Sequence, residues 1–153
     1  MNQSERPQII VRVDYAEPLV AFGLVAALQA ADGLHVLAPG LDARVASAVT
    51  ADVTLTDLAG GLALLDGQAR GMRAAERTRV VIVAAHDREH DVRLALESGV
   101  QGYVLLGCDI DELTTAVRTV ARGNRHLCMS AAHRIADSLA REALTAPESG
   151  VVW

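Results

Sequence analysis

Three acidic residues of the sequence follow short apolar runs, where side chains with chemical roles are often found. Asp14 and Glu17 follow the run Gln8–Val13, and Asp57 follows the run Val53–Thr56. Runs of this length, rich in β-branched residues, predict strands. Carboxylates at strand ends could bind a cation or cap a loop or helix. Which of them meet depends on how the strands are arranged.

Short apolar runs alternate with stretches of helical periodicity along the chain. The run Val80–Ala85 is almost purely apolar, as expected of a strand that is covered on both faces. Five strands that alternate with five helices predict a doubly wound parallel α/β sheet with right-handed crossovers. The predicted strands are Gln8–Val13, Leu34–Ala38, Val53–Thr56, Val80–Ala85 and Gly102–Leu106, and the predicted helices are Pro18–Ala30, Asp42–Thr50, Leu62–Glu76, Arg88–Ser98 and Asp109–Ala121.

The ligand crevice of such a sheet lies beyond the carboxyl ends of the strands, where the strand order reverses. It would collect the residues that follow the first, third, fourth and fifth strands, namely Asp14–Glu17, Asp57, Ala84–His86 and Leu106–Gly107. No Gly-rich phosphate loop follows the first strand, and no nucleophile–base pair is visible. The sequence therefore disfavours an unrelated flavodoxin-like enzyme, and we expect no catalytic residues.

The composition limits the partners and the location of the protein. The net charge is -5, and none of the 14 basic residues is a lysine. Because an acidic surface repels phosphate backbones, the chain alone is not expected to bind nucleic acid.

No apolar run approaches the ~20 residues of a membrane helix, and the polar N-terminus does not resemble a signal peptide. We expect a cytoplasmic protein without membrane contacts, whose Cys108 and Cys128 are free thiols.

Several stretches occur in an order and spacing that are specific to one family. They are Glu17–Val20 with Gly23-Leu24, Asp52–Leu58, Val80–Asp87, Ala95–Tyr103, and Asp111–Val117 with Arg122-Gly123. Through them, the chain from Ile9 to Ala121 resembles the receiver domains of NarL/FixJ-type bacterial response regulators. The resemblance implies a five-stranded sheet in the order 2-1-3-4-5. It also implies phosphoryl transfer from a histidine kinase to an aspartate after strand three, which is Asp57 here.

The resemblance further implies which residues should assist Asp57. Receivers have an acidic pair after strand one that binds Mg²⁺, a Ser or Thr after strand four, and a Lys after strand five. Those positions, counted from Pro18 and Tyr103, carry Tyr15 and Ala16, Ala84, and Leu106. Phosphoryl transfer to a carboxylate requires cations that offset the accumulating negative charge. The sequence therefore predicts an atypical, phosphorylation-independent receiver in which Asp57 is a vestigial acceptor and Mg²⁺ is not a cofactor.

Two alternative interpretations would retain phosphorylation of Asp57. Shifting the alignment by one or two residues makes Asp14 the first acidic residue, but the shift breaks the match at Pro18. Glu17 stands where receivers often carry His or Glu, and it could contribute a water-mediated metal contact. If neither holds, Asp57 is interpreted as an acid that caps a helix or loop beside the crevice.

Arg12 and Tyr103 could substitute for parts of the usual switch. Arg12 stands on the first strand, where the family has an apolar residue, and the strand period places it on the same face as Asp14. We predict that it either pairs with Asp14 or Asp57 or extends its guanidinium into solvent. Tyr103 matches the aromatic residue that, in receivers, turns inward on phosphorylation. The alternative is an amphipathic aromatic at the rim of the domain.

The sequence predicts three segments and three kinds of partner. We expect a receiver domain over 8–123, a linker with an amphipathic helix over 124–144, and the start of a LuxR-type helix-turn-helix domain over 145–153. The helix, predicted over Ser130–Leu144, should pack on the receiver or on a partner subunit.

The resemblance implies a homodimer, formed through the helices Pro18–Ala30 and Asp109–Ala121 or through the face of the fourth helix, the fifth strand and the fifth helix. It implies DNA binding through a further C-terminal domain. A small-molecule ligand in the uncharged crevice near Asp57, Ala84 and Leu106 is an alternative input.

Overall fold

The computed structural model describes residues 8–37, 49–71 and 77–145. Within these ranges the chain forms six strands and five helices. In chain order they are β1 Ile9–Asp14, α1 Pro18–Gln29, β2 Leu34–Leu37, β3 Val53–Thr56, α2 Leu58–Ala69, β4 Arg79–Ala84, α3 Glu89–Glu97, β5 Gly102–Leu105, α4 Ile110–Ala121, β6 His126–Leu127 and α5 Met129–Thr145. Most of the predicted helix Asp42–Thr50 lies outside the described residues.

All six strands are parallel, in the order β2-β1-β3-β4-β5-β6. The predicted doubly wound sheet and the order 2-1-3-4-5 are confirmed for the first five strands, but the prediction of five strands in total is wrong. After α4 the chain turns at Gly123, whose φ of 92° suits glycine. The N–H groups of His126 and Cys128 then donate to the carbonyls of Gln101 and Tyr103. A strand of two residues has no periodicity that a sequence could reveal.

Helix α2 begins at Leu58, four residues before the predicted start, and includes Gly60 and Gly61. These glycines do not form a loop; they let the helix approach the sheet closely. A Cβ on Gly61 would lie 3.2 Å from two carbon atoms of Ile82. The predicted C-terminal end of this helix, residues 72–76, lies outside the described residues.

The core has two layers, one on each face of the sheet. Helices α1 and α4 cover the face that presents Val81 and Val83. Helices α2, α3 and α5 cover the opposite face, which presents Val80 and Ile82. All four side chains of this β4 run are at most 1% exposed, as its apolar composition predicted.

Two further expectations concern the cysteines and the absence of a membrane helix. Cys108 and Cys128 are free thiols, the first half-buried and the second buried. Among the described residues, none of the helices combines the length and the apolar character that crossing a membrane would require.

The fold predicts opposite effects for two glycine substitutions. A Cβ on Gly102 would lie 2.8 Å from Cγ2 of Val81 and 3.1 Å from Cγ2 of Val120. We therefore expect Gly102→Ala to lower the free energy of unfolding by about 1–3 kcal/mol through overpacking. Gly67→Ala, on the exposed side of α2 with no atom within 4 Å, should raise it by about 0.5–1 kcal/mol. Urea unfolding measures both, and effects of the same sign would contradict this description of the packing.

Candidate functional site

The carboxyl ends of β1, β3, β4 and β5 lie along one edge of the sheet. Asp14 is the register partner of Thr56, and Ala84 is the partner of Leu105. Asp57 follows Thr56 directly and is half-buried. The structure thus brings Asp14–Glu17, Asp57, Ala84 and Leu106 to a common edge, where a doubly wound sheet places its ligand crevice.

Asp57 caps helix α2. Its Oδ1 accepts a hydrogen bond of 2.7 Å from the N–H of Gly60, and its backbone has the extended conformation of an N-cap. A side chain at position 60 would not fit here, since a Cβ on Gly60 would clash with Oγ1 of Thr56 and lie 2.9 Å from Oδ1 of Asp57. One carboxylate oxygen of Asp57 is therefore bound within the protein.

Tyr15 spans the crevice beside Asp57. Its hydroxyl donates a 2.9 Å hydrogen bond to the carbonyl of Val83 on β4. Strand β3 lies between β1 and β4, so the side chain crosses the carboxyl end of β3, roughly two strand spacings of 4.8 Å. Val83 follows Ile82, the register partner of Thr56, and is therefore level with Asp57. This bridge is not apparent from the sequence, in which Tyr15 is only the absence of a carboxylate.

The environment of Tyr15 keeps its hydroxyl protonated. Burial raises the pKa of the phenol, and the negative charges of Asp57 and Glu17 raise it further. The side chain is half-buried and packs on the core beneath α1 and α4. An uncharged ring therefore lies where receivers gather carboxylates around a cation.

The remaining acidic residues after β1 are exposed to solvent. Asp14, Ala16 and Glu17 are exposed, and Glu17, at the N-cap of α1, makes no capping hydrogen bond with its side chain. Across residues 8–37, 49–71 and 77–145, no three His, Cys, Asp or Glu side chains are grouped as metal ligands. Mg²⁺ in proteins is bound by one or two carboxylates and completes a near-octahedral geometry with water or substrate oxygens. Among the described residues of this edge, no carboxylate cluster is preformed for such an ion.

Ala84 and Leu106 supply neither a hydroxyl nor a cation. They lie side by side, with the N–H of Leu106 donating to the carbonyl of Ala84 at 2.8 Å. Leu106 borders an apolar groove of about 370 Å³ between α1 and α4, whose walls include Leu24 and Leu113. The groove lies on the Leu106 side of the edge, whereas Tyr15 spans the side next to Asp57. The ligand hypothesis for the crevice stays a prediction.

Arg12 is half-buried near the middle of β1. Its Nη2 donates a 2.7 Å hydrogen bond to the carbonyl of Val49, which precedes β3. The bond gives the guanidinium a partner within the protein and joins β1 to the segment that leads into β3. Pairing of Arg12 with Asp14 or Asp57 stays a prediction.

Tyr103 is fully buried, so the interpretation as a rim aromatic is wrong. Its hydroxyl donates a 2.9 Å hydrogen bond to the carbonyl of His86 in the loop between β4 and α3. Burial raises the pKa of Tyr103 to about 12, and the nearby negative charge of Asp91 adds to the effect. The ring of Tyr103 is thus turned inward, and its hydroxyl has a hydrogen-bond acceptor within the protein.

The capping role of Asp57 has a measurable consequence. Asp57→Ala removes the oxygen that binds the N–H of Gly60, and we expect it to lower the free energy of unfolding by about 0.5–2 kcal/mol. Asp57→Asn keeps a capping oxygen and should cost less. Asp109→Ala is the matched control, because Oδ1 of Asp109 caps α4 through the N–H of Glu112 at the same 2.7 Å. An increase in stability for Asp57→Ala would show that carboxylate to be strained instead.

Comparisons with known proteins find relatives among transcription regulators and response regulators. The chain is 33% identical over 132 residues to the transcriptional regulatory protein UhpA of Salmonella typhimurium, covering 84% of the chain and 62% of UhpA. It is 34% identical over 120 residues to the response regulator RamR of Streptomyces coelicolor, covering 76% of the chain and 59% of RamR. The chain thus spans about three fifths of these relatives. No protein-family model matches the sequence.

Solved structures show the same fold. The isolated REC domain of RcsB from Salmonella enterica serovar Typhimurium has a TM-score of 0.68 at 18% identity, covering 84% of this chain and 99% of that one. A LuxR-family two-component response regulator from Aurantimonas sp. SI85-9A1 has a TM-score of 0.69 at 22% identity, covering 88% of this chain and 99% of that one. The homologues of the chain are thus response regulators of the NarL/LuxR family, and the chain has the fold of their receiver domain.

Proposed function

We propose that this domain is an atypical receiver that serves as the input and dimerisation unit of a transcription regulator and works without phosphorylation of Asp57. The observation that carries the proposal is the bridge from Tyr15 to Val83 across the end of β3. The ring lies beside Asp57, where a phosphoryl donor and its cation would have to enter. The binding of one Asp57 oxygen to Gly60 supports the same conclusion.

The charge balance of the edge supports the proposal. A phosphoryl group that approaches a carboxylate requires nearby positive charge. Receivers obtain it from Mg²⁺ and a lysine, whereas this edge has Tyr15, Ala16 and Leu106 at the corresponding positions. A protonated tyrosine, a methyl group and an aliphatic side chain offset no negative charge. Transfer to Asp57 would therefore be unfavourable even if a donor entered the crevice.

The position of Tyr103 is consistent with a domain that needs no phosphoryl group. In receivers this aromatic residue turns inward on phosphorylation, drawn by a hydroxyl after strand four. Here Ala84 occupies that position, and the carbonyl of His86 accepts the hydrogen bond of Tyr103 instead. The inward arrangement is thus stabilised by contacts that do not involve Asp57.

Incubation with acetyl phosphate and Mg²⁺, followed by intact-mass measurement, tests the proposal. We expect no phosphoryl adduct on the wild-type chain. The matched positive control restores the family's residues with Tyr15→Asp, Ala16→Asp, Ala84→Thr and Leu106→Lys, and we expect it to gain an adduct that Asp57→Ala then abolishes. An adduct on Asp57 of the wild-type chain would overturn the proposal in favour of a working phosphoacceptor.

Dimerisation through α1 and α4 is the part of the proposal that concerns partners. Leu19, Phe22 and Ile110 are large apolar side chains on this face, 88%, 68% and 55% exposed. They adjoin the apolar groove next to Leu106, one wall of which is Gly23. A protruding Phe22 beside a groove on the same face suits an isologous contact about a two-fold axis. The alternative face around α3 is covered by α5 within the chain.

DNA is the proposed target of the full-length regulator. One structure of RcsB shows two dimers bound to two parallel DNAs, and another shows an RcsB–DNA complex. The net charge of -5 makes the present residues an unfavourable surface for phosphate backbones. We therefore assign DNA contact to a domain beyond the receiver and assign to the receiver the pairing of two such domains.

Oligomeric state tests the proposed face. Phe22→Glu places a charge in the apolar contact, and we expect it to weaken the dimer at least ten-fold in sedimentation equilibrium, since about 1.4 kcal/mol corresponds to ten-fold in affinity. Leu144→Glu is the control: Leu144 is 86% exposed but lies at the end of α5. Equal dimer affinity for wild type and Phe22→Glu, or a monomeric wild type, would contradict the assignment.

A further inference from the structure

The segment formed by β6 and α5 is attached to the backbone of Tyr103. Leu127 is the register partner of Tyr103 in the β5–β6 pair. The N–H of Cys128 donates a 2.9 Å hydrogen bond to the carbonyl of Tyr103, and the N–H of His126 donates a 3.0 Å bond to Gln101. Strand β5 is therefore an interior strand, whereas a five-stranded receiver sheet would leave it at the edge.

The same segment closes the apolar layer that contains the Tyr103 ring. Cys128 and Ala131, at the start of α5, are 6% and 0% exposed. They belong to one buried cluster with Tyr103 and with Val92 and Ala95 of α3. The ring is thus enclosed by β4, α3 and the β6–α5 segment, and its hydroxyl is bound at His86. An outward rotation of Tyr103 requires part of this enclosure to open.

A polar seam holds α5 against α3 and the loop before it. Arg134 pairs with Asp87 at 3.5 Å, Arg141 pairs with Glu89, and Glu142 pairs with Arg93. Each pair joins opposite charges across the two elements, so the order of charges along α5 complements that of α3 and its loop. Such a pattern fixes the register of two helices even where each pair contributes little.

Ser138 lies at the centre of the seam. It is 4% exposed, and its Oγ accepts a 3.2 Å hydrogen bond from Nη1 of Arg93. The hydrogen bonds from Arg141 and Ser138 lower the pKa of Glu89, so this carboxylate is ionised near neutral pH. Near neutral pH, α5 and α3 thus both contribute charged side chains to the seam.

We propose that the β6–α5 segment is a latch that holds Tyr103 in its buried position, so that docking of the segment and burial of the ring are one two-state equilibrium. The proposal goes beyond the function proposed above and does not depend on whether Asp57 accepts a phosphoryl group. An event that releases α5 frees Tyr103, so that the helix and the aromatic residue respond together.

Fluorine NMR of protein labelled with 3-fluorotyrosine provides the main measurement. The chain has two tyrosines, so Tyr15→Phe leaves the Tyr103 signal alone. Exposure of the ring is measured as signal broadening by a soluble nitroxide. Docking is measured independently as hydrogen exchange of the Cys128 amide, which is bound to Tyr103 when the segment is docked.

Two kinds of variant release the proposed latch. Arg134→Glu with Arg141→Glu sets acids against Asp87 and Glu89 on the exposed seam, without altering the core. We expect Cys128 exchange and nitroxide broadening to rise together, each roughly ten-fold, because two pairs are lost and two repulsions gained. Ala131→Glu places a charge in the buried cluster around Tyr103 and should give a larger rise in both Cys128 exchange and nitroxide broadening.

Two controls make the result specific. Adding Asp87→Arg and Glu89→Arg to the seam variant restores opposite charges and should return both signals toward wild type. Arg70→Glu breaks the exposed Arg70–Asp66 pair on α2 and should change neither. Faster Cys128 exchange with a ring that stays protected would overturn the proposal. Unchanged exchange in both release variants would overturn it equally, since the segment would then not be a latch.

Discussion

The burial of β4 on both faces is the constraint on which the rest of the structure depends. Val80 and Ile82 contact one helical layer, and Val81 and Val83 contact the other. A strand enclosed in this way must be paired on both sides, because buried N–H and C=O groups without partners are costly. Strands β3 and β5 satisfy these groups in parallel register. The parallel register, in turn, brings the ends of neighbouring strands to one edge.

The position of Asp57 at that edge is determined by the sheet. Asp57 still follows β3, where the family has its acceptor, because the strand and the register determine its position. Its immediate contacts are now structural: the N–H of Gly60 on one side and the ring of Tyr15 nearby. The large side chain of Tyr15 lies after β1, and its hydroxyl donates a hydrogen bond to a carbonyl of β4.

Much of this arrangement could be predicted from the sequence, and the parts that could not share a physical reason. The first five strands, the interpretation of Asp57 as a capping acid and the position of the crevice follow from local patterns and from the topology of parallel sheets. The bridge from Tyr15 to Val83 joins residues 68 positions apart, and it depends on the rotamer of one side chain. No local pattern encodes that choice.

The early start of α2 and the sixth strand were missed for related reasons. Gly60 and Gly61 resemble a loop in sequence, but they are required by the close approach of α2 to Thr56 and Ile82. His126 and Leu127 form a strand because the edge of β5 offers free carbonyls, which is a property of the assembled sheet. The cluster that encloses Tyr103 includes Cys128, which follows that strand, so this part of the enclosure could not be anticipated from local pattern.

Helix α5 also has a mechanical consequence. Its 17 residues correspond to a length of about 25 Å at 1.5 Å per residue. The helix is joined to the sheet at its N-terminal end through β6. A rotation of the helix about that end would displace its C-terminal end the most. A tilt of about 10° about the N-terminal end would move the C-terminal end by roughly 4 Å over that length. Displacements too small to break any strand pairing would therefore be amplified where the chain leaves the receiver.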